Sequence, residues 1–119
     1  MITIGTGLGS ALFVDGRLVP NTELGHMELQ GQDAEWLASD AARLRLKLSY
    51  KKWAGNFNLF LNRLELLLSP DLFILGGGAV KKQEKWLPLL KLSTPVAIAR
   101  AGNEAGIVGA ALSARGELS

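Results

Sequence analysis

The chain has 119 residues, of which 48% are hydrophobic and 20% charged, and its formal net charge is +2. This length fits one domain with a modest core, and the composition argues against a disordered chain. So small a charge does not by itself indicate nucleic-acid or membrane binding, and no apolar run reaches the roughly 20 residues of a membrane span. The lack of cysteine excludes disulfides and thiolate sites. A cytoplasmic location suits such a chain.

Three short β-strands are predicted at the start of the chain. Ile2 to Ile4 alternates apolar and polar residues, Ala11 to Val14 forms a second run, and Leu18 and Val19 form a third. Asp15 and Gly16 have the composition of a hairpin turn between the second and third strands. Because a strand begins at once, we expect the rest of a sheet to lie upstream of this chain.

The stretch "GTGLGS" is the first glycine-rich turn, with glycines at positions 5, 7 and 9. Its spacing differs from the dinucleotide-binding fingerprint, which leads into a helix. A tight hairpin explains these glycines. They also allow the backbone to approach a phosphate, with Thr6 as a hydroxyl donor. Both interpretations remain open on the residues alone.

The segment from Asn21 to Gln32 shows no clear period and is predicted to be an ordered loop. It contains His26, which is the only histidine of the chain, and Glu23 three residues before it. Loops often carry binding residues. The bland alternative is that His26 ties down its own loop and that Glu23 is solvated.

Two helices are predicted next. Asp33 is expected to cap a helix that runs to about Leu48, and Ser49 to cap a second helix that runs to about Leu68, before Pro70. The second helix carries an apolar stripe. Its members are Trp53, Phe57, Phe60, Leu64 and Leu67.

The remaining segments alternate between strands and helices. Asp71 to Leu75 is continuously apolar after its first residue, which favours a strand buried on both faces. A helix from about Lys82 to Leu90, interrupted by Pro88, a strand from Thr94 to Ala99, and a helix from Glu104 to about Arg115 follow. The predicted fold is α/β, with a mixed sheet that is antiparallel at one edge and parallel where βα units follow.

The stretch "LFILGGGAVKK" places a glycine turn between a strand and a helix. Amides at a helix start favour anions, and lysines 81, 82 and 85 stand nearby. A solvated lysine face explains the same residues equally well.

Taken in order, these segments resemble the ROK family of sugar kinases and repressors, within the actin-like ATPase superfamily (a ribonuclease H-like fold). The similarity is greatest to its polyphosphate-using glucokinases. "TIGTGLGSALFVDGRLVPNTELGHMEL" is similar to the family's second phosphate motif running into its E-x-G-H sugar motif. "DAEWLAS" is similar to the segment with the next sugar-binding glutamate, and "DLFILGGGAVKK" and "NEAGIVGAAL" to the nucleotide-side motifs.

The resemblance implies roles for particular residues. Glu23, His26 and Glu35 match the residues that hold sugar hydroxyls. The predicted phosphate-binding residues are Gly5, Thr6, Gly7, Gly76, Gly77, Gly78, Lys81 and Lys82. The implied reaction transfers phosphate from polyphosphate or ATP, with Mg²⁺, to the 6-hydroxyl of glucose.

A polyphosphate donor would favour a basic track, for which the sequence offers two candidates. Lysines 81, 82, 85 and 91 form one, and Lys51 and Lys52 form the other. Solvated lysines that aid solubility are the third explanation.

Two departures from the family pattern carry further expectations. The cysteines of the family's zinc motif are absent, so we expect no structural zinc. His26 is then expected to bind the sugar and not a metal ion. The family's first phosphate loop and its aspartate base are also absent. Aspartates 15, 33, 40 and 71 lack the context of that base. We therefore expect residues 1–119 to form a single C-terminal lobe without its N-terminal lobe, inactive alone.

Two alternatives to a kinase lobe stay open at this point. One is the sugar-sensing lobe of a ROK transcriptional repressor, which the missing cysteines disfavour, and the other is a sugar-binding remnant without chemistry. The family resemblance also implies a homodimer, with the stripe of Trp53, Phe57 and Phe60 as a candidate contact, although core packing explains most of it. An open strand edge near Ile2 and Ile4 would add self-association.

Overall fold

The computed structural model of the protein describes residues 1–99, so the predicted helix from Glu104 lies outside the described residues. The strands are β1 Ile2–Ile4, β2 Leu8–Ser10, β3 Leu12–Val14, β4 Arg17–Val19, β5 Glu28–Leu29, β6 Gln32–Asp33, β7 Phe73–Gly76 and β8 Val96–Ile98. The α-helices are α1 Ala34–Ala38, α2 Asp40–Arg45 and α3 Tyr50–Leu68. Three 3₁₀ helices span Leu24–His26, Gly78–Lys85 and Leu87–Leu89.

A four-stranded mixed sheet forms the centre of the described region, in the order β2-β1-β7-β8. Strand β1 is antiparallel to β2, with Ile4 opposite Leu8, and parallel to β7, which is parallel to β8. The predicted α/β class with a mixed sheet is confirmed. The expected open edge at β1 is wrong, because β1 has a neighbour on each side and Ile2 and Ile4 are buried.

Tight two-residue turns set two of the local strand pairings. The predicted turn at Asp15 and Gly16, both with positive φ, joins β3 to β4. A second such turn at Gln30 and Gly31 joins β5 to β6 in a region that was predicted to be an ordered loop without strands. Strand β2 was not predicted, because glycines interrupt the alternation that marks a strand.

The helix predicted from Asp33 to Leu48 is broken at Ser39 into α1 and α2. Ser39 has an extended backbone, and its Oγ accepts a hydrogen bond of 3.0 Å from the Ala42 amide, which caps α2. The indole nitrogen of Trp53 donates to the carbonyl oxygens of Ala38 and Ser39 at 3.1 and 3.0 Å. Tertiary contacts therefore satisfy backbone groups that a continuous helix would have paired internally.

Helix α3 begins after its predicted cap, Ser49, and supplies most of the core. Four of the five stripe residues are buried, but Leu67 is 59% exposed, and Leu61 is buried instead. The rings of Trp53 and Phe57 stack at 5.1 Å, and Trp86 packs edge-on against both. Burial of each such ring stabilises the fold by roughly 2–3 kcal/mol. Because Trp53, Phe57 and Phe60 lie in the core, they are not available for a contact with a second subunit.

In the second half of the described region the strands occur in the predicted order, but 3₁₀ helices replace the predicted α-helix between them. All four residues of β7 are buried, as expected for a central parallel strand. The helix predicted from Lys82 to Leu90 is replaced by the two 3₁₀ helices on either side of Trp86. Pro88 lies in the first turn of the second, where its missing amide costs nothing. No helix among residues 1–99 is long and apolar enough to cross a membrane.

Candidate functional site

An open cleft of about 360 Å³ lies beside the turn that joins β1 to β2. Residues from four separate segments line it: Thr3, Gly5, Thr6, Gly7, Leu8, Gly9, Glu23, Glu35 and Gly77. The structure therefore brings two of the predicted sugar-binding residues and four of the predicted phosphate-binding residues to one cleft. His26, Gly76, Gly78, Lys81 and Lys82 are not among the lining residues.

A second cavity of about 230 Å³ has a different character. Most of its lining side chains are apolar, among them Leu12, Phe13, Leu64 and Leu72, and Asp71 is its one carboxylate. A sugar needs several polar partners for its hydroxyls. The cleft with two glutamates is therefore the better candidate for a sugar site.

The Glu35 carboxylate is held against the backbone of the first glycine turn. Its Oε1 atom accepts a hydrogen bond of 3.1 Å from the amide of Leu8. A Cβ atom at position 7 would overlap this same oxygen, so glycine is required there for the carboxylate to approach. An ionised carboxylate has about four acceptor positions, so Glu35 retains capacity for further hydrogen bonds.

The loop that carries Glu23 is fastened on both sides of that residue. The hydroxyl of Ser10 donates to the carbonyl oxygen of Thr22 at 3.0 Å. The Oγ atom of Ser10 in turn accepts a hydrogen bond of 3.0 Å from the amide of Leu24. Glu23 is exposed, but its backbone is thus anchored to β2 at the edge of the cleft.

Gly25 explains the spacing of the E-x-G-H segment. A Cβ atom at position 25 would overlap the carbonyl oxygen of Leu8, so only glycine lets this 3₁₀ turn pack directly on β2. Glu23 precedes the turn and His26 ends it. The motif therefore places a carboxylate and an imidazole at the two ends of one turn, next to the cleft.

His26 has a partner that was not predicted. Its Nδ1 atom lies 3.0 Å from Oδ2 of Asp33, with the two side chains 57% and 43% exposed. The hydrogen bond to Asp33 raises the pKa of His26, and the charges of Glu35 and Glu23 act in the same direction. The three predicted sugar-binding side chains are thus within electrostatic reach of one another.

This contact changes two expectations. Asp33 occupies the predicted N-cap position of α1, but its side chain makes no hydrogen bond to an amide of that helix. His26 is also not free for a sugar on both nitrogens, because Nδ1 contacts Asp33. The signal for this pair was the turn at Gln30 and Gly31, which forms the hairpin that returns Asp33 to the level of Glu28.

The second glycine turn reaches the cleft through Gly77. This residue has a φ of +89°, and a Cβ atom there would stand 2.6 Å from the amide nitrogen and the carbonyl oxygen of Ile4. Glycine is therefore required for β7 to end directly against β1. At Gly5, which also lines the cleft, the carbonyl oxygen accepts hydrogen bonds of 3.0 and 3.2 Å from the first amides of α2, those of Asp40 and Ala41.

The described residues offer few ligands for a metal ion such as Mg²⁺. Among residues 1–99 there is no group of three His, Cys, Asp or Glu side chains that could hold a metal ion. This part of the chain therefore does not supply a site in which three or more such side chains hold Mg²⁺. The expected absence of structural zinc stays a prediction.

Comparison with known proteins gives consistent matches, although no protein-family model matches the chain. The chain is 43% identical over 119 residues to a polyphosphate glucokinase of Mycobacterium leprae, covering 100% of this chain and 37% of the relative. It is 46% identical over 112 residues to a polyphosphate glucokinase of Mycobacterium tuberculosis, covering 94% and 42%. The chain thus spans about two fifths of the length of these curated relatives.

Solved structures give the same picture. An inorganic polyphosphate/ATP-glucomannokinase from Arthrobacter sp. strain KM is 51% identical with a TM-score of 0.84, covering 94% of this chain and 44% of that protein. A ROK hexokinase from Thermus thermophilus, 23% identical with a TM-score of 0.69, covers 99% and 58% and shares the fold.

Proposed function

The chain is homologous to part of the polyphosphate glucokinases and has the fold of ROK-family sugar kinases, and on this basis we propose that it is their sugar-binding lobe. The proposed reaction is transfer of a phosphoryl group from polyphosphate or ATP to the 6-hydroxyl of glucose. The observation that supports it best is the shared cleft of Glu23, Glu35 and the turn at Gly5–Gly7. Sugar and phosphate groups would meet there.

The two glutamates suit a sugar chemically. A carboxylate accepts hydrogen bonds from two adjacent hydroxyl groups, and a neutral imidazole donates from one nitrogen and accepts at the other. When Nδ1 of His26 donates to Asp33, Nε2 is the acceptor that is left for a sugar hydroxyl. Fixed partners of this kind penalise sugars that lack the matching hydroxyl.

The phosphate donor is proposed to bind at the two glycine turns. Gly5, Thr6, Gly7 and Gly77 line the cleft together with the glutamates, and short side chains leave the backbone accessible to phosphate oxygens. Gly76 and Gly78 flank Gly77, and Lys81 and Lys82 follow on the exposed 3₁₀ helix. Mg²⁺ would arrive with the phosphate groups, as part of the donor.

The base for the 6-hydroxyl proton is proposed to come from outside this chain. No aspartate lines the cleft in the part of the chain that the structure describes. Asp15 lies in a hairpin turn, Asp33 contacts His26, and Asp40 contacts Arg43 at 3.2 Å. Phosphoryl transfer depends on positioning and charge stabilisation, which this lobe supplies in part. We therefore expect the chain to require another lobe, and a homodimer is a further proposal.

The alternative of a repressor is not favoured, since the relatives at 43% and 46% identity are named as kinases. The direct test is formation of glucose 6-phosphate from glucose, Mg²⁺ and either polyphosphate or ATP. The chain alone should give no product. A chimaera that adds the unmatched part of the Mycobacterium leprae relative should give product, and its Glu35→Gln variant much less. Turnover by the chain alone would refute the proposal that the catalytic base lies outside this chain.

A further inference from the structure

A cluster of basic side chains surrounds Tyr50, the first residue of α3. The guanidinium carbon of Arg43 lies 4.3 Å from the centre of the Tyr50 ring, and the Nζ atom of Lys85 lies 5.6 Å from it. Lys51 and Lys52 follow in the first turn of α3, and both are exposed. The two lysine groups that the sequence offers as alternatives are therefore adjacent, joined through Tyr50. We call this cluster the Tyr50 surface.

Two elements lead from the cleft to the Tyr50 surface. Helix α2 begins at Asp40, whose amide donates to Gly5 in the cleft, and reaches Arg43 within one turn, about 5 Å of rise. The 3₁₀ helix Gly78–Lys85 begins directly after Gly77, which lines the cleft, and ends at Lys85. Both routes converge on the Tyr50 ring. The surface is thus continuous with the proposed phosphate site.

The two routes carry mostly positively charged side chains. Residues 40–52 and 78–85 together carry eight basic side chains and two acidic ones, Asp40 and Glu84, in a chain whose net charge is only +2. Asp40 is already paired with Arg43. No carboxylate among residues 1–99 pairs with Lys51, Lys52 or Lys85. Cations gathered on one ring repel each other, and a bound polyanion would relieve this repulsion.

We propose that the Tyr50 surface binds the part of an inorganic polyphosphate chain that extends beyond the reacting phosphate. This inference rests on the proposed function, because it takes the donor's end to lie at Gly5–Gly7 and Gly77. A flexible polyanion gains affinity from each phosphate that a lysine or arginine neutralises, through release of its counterions. A short phosphate donor would occupy the cleft and make few or no contacts with this surface. The surface therefore discriminates donors by chain length.

The test measures binding of long-chain polyphosphate and of tripolyphosphate to the 119-residue chain at several salt concentrations. The variant Lys51→Gln/Lys85→Gln removes two charges from the surface. The control Arg17→Gln/Arg63→Gln removes two charges from exposed positions on β4 and on a later turn of α3. Both variants have the same net charge, so any difference between them reports the position of the lost charges.

The surface variant should lose at least about tenfold in affinity for long-chain polyphosphate, with a shallower salt dependence. The control should stay within about twofold of the original chain, and tripolyphosphate affinity should be the same in all three. Equal losses in both variants, or no loss in the surface variant, would overturn the proposal. Glucose binding is measured on the same samples. A lack of glucose binding would count against the proposed function and not against the Tyr50 surface.

Discussion

The carboxylate of Glu35 lies directly against the backbone of Gly7, and its Oε1 atom accepts the hydrogen bond of the next amide, from Leu8. These contacts fix one wall of the cleft, because they join α1 to the turn between β1 and β2. They also explain why position 7 is glycine, which the general preference of turns for glycine does not explain by itself.

The first prediction concerns this contact. Gly7→Ala should displace the Glu35 carboxylate and lose its bond to Leu8, which lowers the free energy of unfolding by about 1–3 kcal/mol. Gly5→Ala is the matched control, since a Cβ atom there meets nothing within 4 Å and should change stability by under about 0.5 kcal/mol. Urea unfolding measures both. Equal losses in the two variants would show that general turn strain, and not the carboxylate, sets the requirement.

The second prediction concerns the anchoring of Glu23. Ser10→Ala removes one donor to Thr22 and one acceptor for Leu24, and should cost about 1–2 kcal/mol of stability. It should also weaken glucose binding, because the backbone on both sides of Glu23 is released. Ser93→Ala, at an exposed position outside the cleft, should affect neither. Unchanged glucose affinity in Ser10→Ala would show that Glu23 does not depend on this anchor.

The third prediction concerns pH. The bond to Asp33 raises the pKa of His26, which in an unperturbed state is 6.5. A raised pKa in the folded state adds stability that is fully present below pH 6.5 and is lost as the pH rises through the folded pKa. Asp33→Asn should return the pKa of His26 toward 6.5 and reduce this stability difference, because the charges of Glu35 and Glu23 remain. NMR titration is direct, because His26 is the only imidazole. An identical pKa in both proteins would disprove the interaction in solution.

The sequence predicted the order of the elements well where local rules decide it. The turn at Asp15 and Gly16, the cap at Ser49 and the buried strand β7 each follow from a few neighbouring residues. The break at Ser39 did not follow, because the indole of Trp53, fourteen residues away, satisfies its carbonyl oxygen. Propensity and periodicity carry no information about such a distant partner.

The residues that line the candidate cleft were predicted in part, and their roles stay predictions. The resemblance indicated Glu23, Glu35 and the glycine turn, and the structure places them around one cleft. Asp33 and Ser10 were missed, since each acts through a partner that only the folded hairpins bring near. The two lysine groups were separate candidates, because nothing local shows that Lys85 reaches Tyr50.

The central claim is that the cleft of Glu23 and Glu35 binds glucose. The most direct measurement is a glucose titration of the isotope-labelled chain, followed by NMR at each backbone amide. The account predicts saturable shifts at Gly5–Gly7, Glu23, His26 and Glu35, and an affinity about tenfold or more lower in Glu35→Gln, whose amide oxygen still accepts from Leu8. Saturable shifts confined to other residues, or equal affinity in Glu35→Gln, would contradict it.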